Sequence, residues 1–221
     1  MPFITGEDAK QVSEILKNLP KTVKLVYFTQ ELECQYCRET HQLMTQLKEL
    51  SDSKIELEVY NFINDKEQVE KYNIDKIPAI AITADDVDYG IRYYGIPSGY
   101  EFSSILEDIQ EVANGEPSVS DDTKNLIQKI TQPLHLQVFV TPTCPYCPAA
   151  VLMAHKLAML NENITADMVE ATEFPHLTVK YNVQGVPRTV IGEDHAIEGA
   201  LPEPNFVEKV LSAYQEIYPD N

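Results

Sequence analysis

The four cysteines of this 221-residue chain fall as two pairs of identical spacing, Cys34-Gln35-Tyr36-Cys37 and Cys144-Pro145-Tyr146-Cys147, with none left over. Two thiols separated by two residues can close a small disulfide ring and exchange it with a substrate, or supply half of a tetrahedral zinc site. An apolar, β-rich run precedes each pair, KLVYFTQ (24–30) and LQVFVTP (136–142), and a helical pattern follows. A Cys placed where a helix begins faces unpaired backbone N–H groups and the positive end of the helix dipole. Both favour thiolate over thiol, lowering the pKa from about 8.5. Cys34 and Cys144 are therefore the expected attacking sulfurs. Cys37 and Cys147, expected one turn further in and more buried, are the expected resolving thiols.

The elements that must position these sulfurs occur twice. Aligning Cys34 on Cys144 sets an offset of 110 residues, and the match extends well beyond the cysteines. Leu43, Leu47 and Leu50 correspond to Met153, Leu157 and Leu160, one face of a helix packed on a sheet. Second strands are read in IELEVYNF (55–62) and ITADMVEA (164–171). A near repeat follows, EKYNIDKIPAIAI (70–82) against VKYNVQGVPRTVI (179–191), placing Pro78 and Pro187 41 and 40 residues after Cys37 and Cys147. Each half closes with a strand, Gly95 or Gly199, and an amphipathic helix; each opens with another helix, near 7–19 and 121–130. The segment 113–122 breaks both patterns: Gly115 can stop a helix, Pro117 prevents its continuation, and Ser120 can cap the next. The expected fold class is α/β, two tandem units over 1–117 and 118–221, each running α, β, α, β, α, β, β, α as a mixed sheet flanked by helices.

Composition removes several function classes. A formal net charge of −18 opposes binding to phosphate backbones and anionic lipid, so neither nucleic acid nor membrane is an expected partner. No apolar run reaches the roughly 18–20 residues of a membrane span, and the opening MPFITGEDAKQVSEIL lacks the order of a secretory signal. A cytoplasmic location is expected. There, paired cysteines are more often catalytic or metal-binding than permanent staples.

TCPYC after a VFV strand and before a GVP element is similar to glutaredoxins. The ordered doubling, CQYC first and CPYC second, resembles the protein disulfide oxidoreductases of hyperthermophiles, and the likeness covers nearly the whole chain. The resemblance implies two thioredoxin-like units and exchange with protein disulfides or dithiols at Cys34/Cys37 and Cys144/Cys147. It also implies cis bonds before Pro78 and Pro187, with the backbone of Ile77 and Val186 offered to a substrate chain. No cofactor or metal is implied. An electron donor of the thioredoxin-reductase-like flavoprotein class fits it. The chain departs from thioredoxins proper in lacking a carboxylate six residues before each pair, where Phe28 and Val138 stand. Glu198 and Gly199 at the last turn argue against glutathione, an anion, as main partner.

Two other readings compete: a zinc-held scaffold using all four sulfurs, and an electron relay serving a peroxidase, as in the tandem domain of some alkyl hydroperoxide reductases. His41, His135, His155, His176 and His195 are expected at the surface or partly packed. Arg188, next to Pro187, is read either as favouring the second thiolate or as a solvated cation. Glu31 and Glu33 should oppose the first thiolate, so the second pair is the expected more active one.

Overall fold

The structure is a computed structural model and describes residues 3–219. Its elements follow the expected order twice. The first half holds α1 (Gly6–Lys17), β1 (Val23–Thr29), α2 (Cys37–Leu50), β2 (Ile55–Asn61), α3 (Lys66–Lys71), β3 (Ala79–Ala84), β4 (Val87–Tyr94) and α4 (Glu101–Asn114). The second holds α5 (Asp121–Ile127), β5 (Leu134–Val140), α6 (Cys147–Leu160), β6 (Ile164–Glu170), α7 (Pro175–Lys180), β7 (Arg188–Ile191), β8 (His195–Glu198) and α8 (Glu203–Ile217). Between them α4 stops at Gly115 in the left-handed conformation, and the Ser120 side chain caps α5 by accepting from Thr123 N–H at 3.2 Å.

The strands form one continuous eight-stranded sheet, ordered β2-β1-β3-β4-β6-β5-β7-β8. The halves join where β4 pairs in parallel with β6, placing Arg92 opposite Asp167 and Tyr93 opposite Met168. Side chains alternate between faces. Leu25 and Tyr27, with Leu136, Val138 and Val140, enter a core shared with α1, α2, α4, α5, α6 and α8. Val26, Phe28 and Phe139 enter a second core around Tyr72, Phe174 and Tyr181, beside α3 and α7.

This topology decides where the chemistry sits. β1 is antiparallel to β3, β3 to β4, and β4 is parallel to β6, which is parallel to β5. Thus β1 and β5 point the same way, and both cysteine pairs leave the same edge of the sheet. Four inter-strand steps, each ~4.8 Å, separate β1 from β5, so the two sites are about 19 Å apart along that edge. Four sulfurs so placed cannot meet on one metal ion, which removes the shared zinc site. Among the described residues no helix is long and apolar enough to cross a membrane.

Candidate functional site

Each pair is closed as a disulfide, Cys34–Cys37 and Cys144–Cys147, with Cα–Cα separations of 5.5 Å in both. The helices begin at Cys37 and Cys147, so the inner cysteines are the first helical residues. Cys34 and Cys144 stand three residues ahead of the helices, where the sequence reading had them open the helices and the inner cysteines a turn inside. The expected order of access holds: Cys34 is half-buried against 3% exposure for Cys37, and Cys144 keeps 7% against 0% for Cys147. Tyr36 and Tyr146 occupy the N-cap positions, Tyr146 well exposed and Tyr36 packed on the core.

The peptide bonds Ile77–Pro78 and Val186–Pro187 are both cis. Each proline carbonyl accepts from the glycine that closes the next strand, Gly95 N–H to Pro78 at 3.0 Å and Gly199 N–H to Pro187 at 2.8 Å. Ile77 and Val186 are partly buried against the cores.

Reading outward from the cysteines misjudges one position. β1 ends eight residues before Cys37 and β5 seven before Cys147, so Tyr27, not Phe28, is the counterpart of Val138. The extra residue lies in a loop that holds Glu33 at φ 57°. Neither Tyr27 nor Val138 is a carboxylate, but the buried Tyr27 hydroxyl donates to the Cys37 carbonyl at 2.6 Å, at the root of the first site. Burial pushes the Tyr27 pKa up.

Beside the loop of the second site lies a buried carboxyl from the other half. The connection from β4 to α4 passes under the loop that carries Cys144: Tyr100 N–H donates to the Pro142 carbonyl at 3.0 Å. A Cβ at Gly99 would lie 2.1 Å from that same oxygen, so only glycine fits there, and its φ of 61° suits glycine too. Two residues on, Glu101 is 1% exposed; Ser104 donates to its Oε2 at 2.7 Å, while Oε1 has no partner among the described residues. Burial, assisted by the nearby Asp108 charge, pushes its pKa up to about 7 against the pull of His155. Asp108 accepts from the Tyr93 hydroxyl and lies 2.5 Å from His155 Nδ1, all three side chains fully buried between α4 and α6. His155 is thus a core residue, contrary to the surface or partly packed position expected. The signal was present as polar residues 101, 104, 108 and 111 at helical spacing along an otherwise apolar face.

Arg188 pairs with Glu198 on the neighbouring strand, which balances its charge instead of leaving it to a thiolate. On the opposite face of the sheet, the fully buried Asp167 takes His135 at 2.7 Å and Lys76 at 3.9 Å across the joint, and these cations hold its pKa down despite burial. No cluster of three or more metal-ligating side chains occurs among the described residues.

A family model for the thioredoxin domain matches residues 134–212. The crystal structure of a protein disulfide oxidoreductase from Aeropyrum pernix superposes with a TM-score of 0.89 at 27% identity, over 96% of this chain and 94% of that one. The chain has the tandem thioredoxin fold of the protein disulfide oxidoreductases. The N-terminal domain of the alkyl hydroperoxide reductase AhpF from Enterococcus faecalis gives 0.84 at 26% identity, over 91% of this chain and 97% of that one. In sequence, a Bacillus subtilis NADH dehydrogenase is 25% identical over 150 residues, 68% of this chain and 30% of that protein. The chain thus spans about a third of the length of the curated relatives it matches.

Proposed function

We propose that the protein is a dithiol–disulfide oxidoreductase acting on protein disulfides at Cys34/Cys37 and Cys144/Cys147. One observation carries this reading: two CxxC disulfides stand on one edge of the sheet, each with its outer sulfur the more accessible and its own proline loop. In the reduced enzyme the outer thiolate attacks a substrate disulfide. A mixed disulfide forms and one substrate sulfur leaves as thiolate. The inner thiol then loses its proton and attacks the outer sulfur, releasing the second substrate thiolate and restoring the ring. Two electrons pass to substrate, and the reverse sequence oxidises a dithiol.

The inner thiol needs somewhere to put its proton. At the second site we assign this to Glu101, buried beside the Cys144 loop with one oxygen unpaired among the described residues. Ile77, Pro78, Val186 and Pro187 serve as the substrate-facing backbone. Each half, joined near residue 117, acts as one catalytic unit, and the protein works in the cytoplasm.

The likeness to AhpF supports a second reading, in which the chain relays electrons from a flavoprotein to a peroxidase. Insulin reduction by dithiothreitol, followed by turbidity in wild type, Cys34→Ser and Cys144→Ser, tests the first. Acceleration lost more completely in Cys144→Ser supports it; a wild type no faster than the uncatalysed rate refutes it. NADPH oxidation that requires both a flavoprotein and a peroxidase identifies the relay.

A further inference from the structure

The two proline loops are equivalent in sequence, but their surroundings are not. Gly95 and Gly199 each donate to the proline of their own half. At Gly199 an added Cβ would meet nothing within 4 Å. At Gly95 it would lie 2.6 Å from Glu170 Cβ and 2.8 Å from Glu173 Oε1. An acidic loop of the second half, between β6 and α7, therefore packs against Gly95 in the first half, and among the described residues no such wall stands at Gly199. The contact is a bond as well as a wall, for Ile96 N–H donates to Glu173 Oε1 at 2.6 Å.

We propose that Glu173, carried by the second half, is a positioning residue of the first site: it ties down the Ile96–Gly95–Pro78 backbone, and its charge sets the thiolate content of Cys34/Cys37. Three observations converge. The carboxyl is one residue from the glycine that pairs with Pro78. Burial chiefly raises the Tyr27 pKa and the Glu173 charge adds to it, and the Tyr27 hydroxyl holds the Cys37 carbonyl. Its neighbour Glu170 is 2% exposed with Oε1 lacking a partner among the described residues, so two carboxyls share one corner and the Glu170 charge disfavours ionisation of Glu173.

The titratable groups around Glu173 are few. Glu170 ends β6 and receives Glu173 N–H at 2.8 Å; Tyr27 lies on β1, with Glu39 of α2 also acting on it; His176 of α7 rests against Phe174. Burial and the Glu170 charge raise the Glu173 pKa to about 7, against the Ile96 bond, so Glu173 changes charge near neutrality. Above that pH its negative charge opposes the thiolate, and the first site is the better nucleophile when Glu173 carries its proton.

The inference rests on the redox reading, and the experiment separates the two. In a Cys144→Ser/Cys147→Ser background, thiolate absorbance of the reduced first pair is titrated with and without Glu173→Gln, which keeps an acceptor for Ile96. The Gln variant should lower the apparent thiol pKa by about half a unit, the effect of one carboxylate acting through partly hydrated protein. The second pair, titrated in a Cys34→Ser/Cys37→Ser background, should not move. An unmoved first-pair curve, or equal shifts at both pairs, overturns the role of Glu173. A first pair that can be neither reduced nor reoxidised overturns the redox reading as well.

Discussion

Glu101→Gln should make the protein more stable at alkaline pH and a poorer catalyst at the second site. The carboxyl is 1% exposed, and its pKa is raised from 4.5 to about 7 in the folded state. Between those values the native state binds more protons than the unfolded chain, so this group's contribution to stability is full below pH 4.5 and is lost as pH rises through about 7. Raising this pKa from 4.5 to about 7 is worth roughly 3 kcal/mol at pH 8. Gln cannot ionise, and its oxygen can keep the bond from Ser104. Other titrating groups, Glu173 among them, are common to both proteins, and any fixed cost of a buried amide is independent of pH. The readout is therefore the difference between the urea stabilities of the two oxidised proteins across pH 4 to 8. That difference should grow by about 3 kcal/mol in favour of the variant. In a Cys34→Ser/Cys37→Ser background, the variant should also reduce insulin more slowly. A stability difference that stays flat across this range would refute the raised pKa and, with it, the proton role of Glu101.

Gly99→Ala puts a Cβ 2.1 Å from the Pro142 carbonyl oxygen at a φ of 61°. The left-handed penalty alone is about 1–2 kcal/mol and the clash adds to it, so thermal unfolding should fall by several degrees, with insulin reduction at the second pair suffering more than at the first. Tyr27→Phe leaves the buried Cys37 carbonyl without the hydroxyl and should cost about 1 kcal/mol in chemical denaturation, with the first pair's reduction midpoint moved and the second's unchanged.

What the sequence made legible was the part governed by local rules. Periodicity, strand composition and the repeat located all sixteen elements, and Gly115 and Ser120 marked the end of α4 and the start of α5 because helix ends are decided by nearby residues. The cysteine pairs could be read from their spacing, and the cis bonds before Pro78 and Pro187 from the family resemblance. Counting from cysteines failed at Phe28, where one extra loop residue shifted β1 against α2 and put Tyr27 inward. Pairing of β4 with β6 was not readable, since VDYGIRYY and ITADMVE carry no mark of being neighbours until the chain has folded. Glu101, Asp108, His155 and Glu173 depend on that pairing. Each becomes meaningful only once the second half lies against the first, and His155 looked like a surface residue because its partner Asp108 is 47 positions away.

The central claim, that an accessible outer sulfur attacks and a buried inner one resolves, is tested most directly by trapping the mixed disulfide. Reduced Cys37→Ser/Cys147→Ser protein, which keeps Cys34 and Cys144, is mixed with oxidised insulin, quenched with acid, and analysed by non-reducing gel and peptide mass. The account predicts stable insulin adducts at Cys34 and Cys144, the latter forming faster. It also predicts no adduct in Cys34→Ser/Cys144→Ser, where only the inner cysteines remain. Adducts on Cys37 or Cys147, or none on either outer cysteine, would contradict it.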